Sequence, residues 1–92
     1  MAVDLVEEQI RRLREELEYI RSEIEAGRQY MRELTGELYR TRWPEVRAQL
    51  IADLRLVRQR VDELERQYAM RLQQLQALLA MRRMRRMRYG YP

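Results

Sequence analysis

From Val3 to Leu38 the apolar residues of this chain recur at alternating steps of three and four. Val3, Ile10, Leu17, Ile24, Met31 and Leu38 fall at one position of a seven-residue repeat, and Val6, Leu13, Ile20, Gly27 and Leu34 fall at the other. On an α-helix this spacing keeps a narrow apolar stripe on one side, to be buried against a second helix. Gly27 is the one gap in the stripe, and a bulky side chain from across the seam, such as a Tyr, is expected to fill it. The outer side of the stretch carries Glu and Arg one turn apart, as in Glu7–Arg11, Glu8–Arg12, Arg11–Glu15 and Arg14–Glu18. Such pairs contribute only about 0.2–0.5 kcal/mol each; they keep a face solvated and do not make a site.

The repeat breaks at Thr41-Arg42-Trp43-Pro44-Glu45. Proline suits the first turn of a new helix, an acid beside it suits the positive end of the helix dipole, and the residue before proline is biased away from helix. The spacing predicts a helix over 3–40, a turn over 41–44 and a second helix over 44–87. In the second helix Leu54, Val57, Val61, Leu64 and Tyr68 continue a three-four seam. Steps of four and four at Val46-Leu50-Leu54 and Leu64-Tyr68-Leu72 read as stutters, which locally unwind a supercoil. Leu72, Leu75 and Leu79 carry the stripe onward.

The fold class is therefore all-α. The expected architecture is two long helices in an antiparallel coiled-coil hairpin over residues 1–80, with a basic C-terminal extension over 81–92. Folding back at 41–44 matches Met31 with Val57, Leu34 with Leu54, Ile24 with Leu64, Leu13 with Leu75 and Ile10 with Leu78, and sets Gly27 opposite Val61, close to Tyr68. Leu17 then faces Arg71, which must extend its charge to water or yield the place to Leu72. Arg21–Glu65 and Glu23–Arg60 are the flanking ion pairs of this arrangement. The alternative is a Pro-kinked extended helix in a parallel homodimer, which the flanking charges favour, with Glu16 meeting Arg21, Glu23 meeting Arg28, Asp53 meeting Arg58 and Arg60 meeting Glu65. Exposed pairs are worth only about 0–1 kcal/mol each, whereas proline inside a helix costs about 3 kcal/mol. The hairpin is the reading carried forward. Two helices alone bury little core, so oligomerisation or docking onto a larger body is expected.

The chain has neither Cys nor His. Disulfides, thiolate nucleophiles, imidazole bases and the usual zinc ligands are thereby removed. The carboxylates stand beside Arg on charged faces rather than as desolvated pairs with divergent proton affinities. No Gly-rich phosphate loop is present. The expectation is a protein that is not an enzyme, with no cofactor and no metal. No apolar run is long enough to span a membrane, and the acidic, already periodic start is not a signal peptide. An intracellular or assembly-bound location is expected.

All nineteen basic residues are Arg, and they are unevenly placed. Residues 1–43 carry a net charge of −2, residues 44–80 of +1 and residues 81–92 of +5, so the total of +4 resides in the last twelve residues. The last acid in the chain is Glu65. The C-terminal stretch repeats Met-Arg-Arg and ends in Tyr-Gly-Tyr-Pro. Its Arg82, Arg83, Arg85, Arg86 and Arg88, with Met81, Met84, Met87, Tyr89 and Tyr91, are the candidate partner- or polyanion-binding residues. Methionine adapts to varied surfaces, and Arg and Tyr anchor interfaces. Clustered Arg also neutralises phosphates, and Tyr stacks on bases. A membrane surface is disfavoured, because the Met stripe lacks Trp, Phe or Leu.

At the hairpin tip, Trp43 beside Pro44 is expected to cap the apolar seam. An exposed contact point is the alternative. In length and in its mid-chain Trp the chain is similar to small secreted helical-hairpin proteins with a Trp-x-Gly turn. Here Trp43 is followed by Pro44 and Glu45, and the C-terminal Tyr-x-x-x-acid signal has no counterpart, since Tyr68 is followed by Leu72, so membership is not assigned.

The functional expectation is a structural or assembly protein, a coiled-coil spacer or scaffold that docks into a larger complex through its basic tail. Virion components offer an analogy of type. The alternative is a nucleic-acid-binding accessory protein with the Arg tail on phosphates. A homo-oligomer, a larger protein assembly or nucleic acid are the expected partners.

Overall fold

A computed structural model describes residues 4–89, which form two helices: α1, Leu5–Arg40, and α2, Pro44–Tyr89. There is no strand among the described residues. Val3, which the repeat places first in the seam, lies outside them.

Local chemistry sets the helix ends. Asp4 is the N-cap of α1, its backbone extended and its carboxylate accepting from the N–H groups of Val6 at 3.0 Å and Glu7 at 3.4 Å. Two of the donors that have no partner within the helix are thus satisfied. At the other end Thr41 turns to extended backbone, with φ −90° and ψ 141°, and its N–H still reaches the Glu37 carbonyl. Pro44 then takes the first position of α2, where its missing N–H costs nothing. Arg47, on the first turn of α2, donates from Nη1 to the carbonyls of Leu38 at 2.6 Å and Thr41 at 3.2 Å. A cation from the second helix therefore closes the negative end of the first.

The molecule measures 72 × 23 × 15 Å. A helix of 46 residues is about 69 Å long, so the long axis equals one helix. The two helices pack against each other. Cross-helix ion pairs join them between Asp4 and Arg28 of the first half: Arg28 to Glu65, Arg71 to Glu16, Arg82 to Glu7 and Arg85 to Asp4.

Two apolar clusters occupy the seam. Ile20, Ile24, Val61 and Leu64 form one, flanked by Met31, Val57 and Tyr68. Ile10, Leu17 and Leu75 form the other, flanked by Val6, Leu13, Tyr68, Leu78 and Leu79. The gap at Gly27 is filled by Val61: a Cβ built on Gly27 would stand 2.6 Å from Val61 Cγ2. That contact holds the two backbones close and sets their axial register.

Three details differ from the sequence-based expectation. Glu65 pairs with Arg28, at 3.0 Å, rather than with Arg21, and Glu23 and Arg60 form no ion pair among the described residues. Leu72 does not take the seam and stays exposed, while Arg71 is half-buried in its place. Its stem covers apolar surface, Nε donates to Glu16 at 2.9 Å and Nη1 to the Gln67 carbonyl at 3.4 Å. With Arg71 in place the three-four rhythm passes Leu64, Tyr68, Arg71 and Leu75 without a stutter. Trp43 does not cap the seam; it is 71% exposed. The three-residue turn ends before the indole can fold back, and Leu50 closes the core at that end instead.

Candidate docking surface

Residues 81–89 continue α2 without a break. The seam positions that follow Leu75 and Leu78 at steps of four and three are Arg82 and Arg85. Both point at the start of α1. Arg82 Nη1 donates to both carboxylate oxygens of Glu7, at 3.2 and 3.3 Å, and only 25% of its side chain is exposed. Arg85 Nη1 reaches the Asp4 carboxylate at 3.3 and 3.5 Å. Asp4 thus serves twice, as helix cap and as ion-pair partner. The bond from the Glu7 N–H, with that from Val6 and the nearby Arg85, holds its carboxyl below the ordinary aspartate value of 3.8.

The remaining tail side chains face outward. Met81, Met84 and Met87 are 55%, 69% and 78% exposed. Arg83 and Arg86 are exposed and form no ion pair among the described residues. Tyr91 and the side chains of Arg88 and Tyr89 lie outside the described residues. The ten candidate residues therefore do not act as one set. Two Arg close the open end of the molecule, and three Met with two Arg make a surface. The signal for this division is the continued three-four spacing, because a residue on the seam is committed to the neighbouring helix.

A second exposed cluster lies at the tip. Trp43 and Tyr39 project there, and a shallow groove of about 500 Å³ runs from Arg40 and Thr41 to Val46 and Leu50. Pro44 is exposed beside it as the first residue of α2. Tyr39, 85% exposed, is a residue that the periodicity did not single out.

Among the described residues no group of three or more carboxylates stands close enough to hold a metal ion, and no helix is long and apolar enough to cross a membrane. The chain matches no protein-family model, no curated protein and no solved structure.

Proposed function

We propose that this chain is a non-enzymatic assembly protein: an antiparallel coiled-coil hairpin that acts as a spacer or scaffold and docks into a larger complex through residues 81–87. The observation that carries this reading is the outward row of Met81, Met84 and Met87, each more than half exposed, with Arg83 and Arg86 beside them. Flexible, polarisable methionines suit irregular partner surfaces, and Arg adds directional bonds at the edge of such a contact. Arg82 and Arg85 support the same reading from within. By closing on Glu7 and Asp4 they hold the tail as rigid helix, so docking costs little ordering of the backbone.

Nucleic acid is the alternative, supported by the absence of any acid after Glu65. The two readings differ in salt dependence. Each neutralised phosphate contributes about −0.7 to −0.9 to the slope of log affinity against log salt. Arg83 and Arg86 alone would give a slope of about −1.4 to −1.8, and engagement of all five Arg would require Arg82 and Arg85 to leave their carboxylates. The test is to replace Met81, Met84 and Met87 with Gln, and in a second variant Arg83 and Arg86 with Gln. Co-fractionation with the native complex is then read alongside a nucleic-acid titration at several salt concentrations. Loss of co-fractionation in the Met variant, with no steep salt-dependent nucleic-acid binding, is the expected result. An unaffected Met variant, or tight binding whose slope falls when Arg83 and Arg86 are removed, would overturn it in favour of phosphate recognition.

A further inference from the structure

The hairpin is one layer of two helices, and its two broad sides are unlike. On one side of the open half, Gln9, Arg12, Leu13 and Glu16 of α1 and Gln74 and Ala77 of α2 line a shallow groove of about 500 Å³ with half-buried Leu78 at its floor. On the other side Arg11, Arg14, Glu15 and Glu18 line α1. In a chain with 37% charged residues, the lining of this groove carries a single Arg and a single Glu, one turn apart. Arg12 has no ion-pair partner among the described residues, and Glu16 gives one oxygen to Arg71.

We infer that this side binds a second copy of the chain, about a two-fold axis through the groove, to form a four-helix bundle at the open ends. This rests on the hairpin reading above. Three observations select a second copy as the occupant. The charges suit a two-fold pairing: an axis between Arg12 and Glu16 sets each Arg12 beside the partner copy's Glu16, whose carboxylate holds Arg71 through one oxygen only. Ala77 is small and lines the same groove as Leu13 and Leu78, so the helices of two hairpins can approach closely there. The exposed area also fits. A compact protein of 11.4 kDa exposes roughly 5,800 Å², whereas this chain exposes 7814 Å², about 2,000 Å² more. A stable interface removes about 800 Å² or more from each partner, well within that excess. The two tips would point apart, which suits a spacer.

The test is the mass of the isolated full chain by analytical ultracentrifugation over a concentration series, with helicity followed by circular dichroism. Three variants decide it. Ala77→Arg places an extra guanidinium on the face, and Gln76→Arg places the same charge one residue away, about 100° round the helix and outside the groove's lining. Arg12→Glu sets like charges together at the axis. The expected result is twice 11.4 kDa for the unaltered chain and for Gln76→Arg. Ala77→Arg should associate at least about a hundredfold more weakly, because a buried unpaired charge is strongly disfavoured; Arg12→Glu should associate about tenfold more weakly. Both should keep their helix at monomer concentrations, since Ala77 and Arg12 are exposed in the single chain. A monomer at every concentration overturns the proposal, as does a dimer indifferent to both substitutions or one equally sensitive to Gln76→Arg. No partner is needed, so a Met variant that still docks, with an intact dimer, would refute the tail reading alone. An intrachain distance between helices, measured in the same samples, reports separately on the hairpin.

Discussion

Gly27 and Gly36 both lie inside α1, where glycine costs about 1 kcal/mol relative to alanine, yet they should respond oppositely to replacement. At Gly27 a new Cβ would stand 2.6 Å from Val61 Cγ2. Val61 is buried, and a β-branched side chain in a helix has one strongly preferred rotamer, so it cannot swing aside. Overpacking costs about 1–3 kcal/mol and outweighs the gain in helix propensity. Gly27→Ala should therefore lower stability by about 1 kcal/mol, and should raise it when Val61→Ala has removed the clash. At Gly36 the nearest atoms are the guanidinium of Arg40 at 3.6 Å, a flexible end, so Gly36→Ala should raise stability by about 0.5–1 kcal/mol. Urea unfolding of the four variants at one fixed protein concentration checks both, and a neutral or stabilising Gly27→Ala would mean that the two backbones are not held this close.

At the scale of the element, the ends of α1 explain why it stands as a separate helix. Arg47 closes its C-terminus from the next helix, while Asp4 closes its N-terminus from within and is itself engaged by Arg85. The folded-state proton affinity of Asp4 is depressed, so its contribution is complete above the ordinary value of 3.8 and is lost as pH falls through the lowered one. Acidification should fray the first turn of α1 before it disturbs the cluster at Ile20 and Ile24. Carbon-detected NMR titration should place the Asp4 carboxyl midpoint below 3.8, with the helical Cα shifts of residues 5–7 collapsing at the same midpoint. Arg85→Gln should move that midpoint upward, toward the ordinary value. A midpoint at or above 3.8 would show that neither the cap nor the ion pair persists in solution.

At the scale of the molecule, the proposed hairpin fixes distances that the Pro-kinked extended arrangement cannot meet. Arg11 and Gln76 are exposed and nearly level along the paired helices. With helix axes about 8–10 Å apart, cysteine-linked spin labels at these positions should lie within about 25 Å of each other. In an extended chain the intervening residues, at about 1.5 Å each, would separate them by roughly 100 Å. Diluting labelled chains into an excess of unlabelled ones keeps the measurement within a single chain. A long distance would return the chain to the extended alternative.

What the sequence determined by itself is periodic and local. Alternating steps of three and four declare a helix with one buried stripe, and Thr41 to Glu45 declares its interruption, because periodicity and proline act on backbone conformation within a few residues. The Gly27–Val61 match was legible for the same reason: once the fold-back point is known, two regular repeats can be aligned by counting. Only the tertiary structure decided which Arg face inward. Arg71 displaces Leu72 from the seam because its stem is apolar and Glu16 stands within 2.9 Å of its head, a distance set by the axial register of two helices. Arg82 and Arg85 likewise lie far in sequence from Glu7 and Asp4 and become their neighbours only when α2 lies along α1 to its first turn. The tail that reads as one block of five Arg is thus divided between closure and surface. Sequence alone could not divide it, because the division depends on carboxylates some eighty residues away.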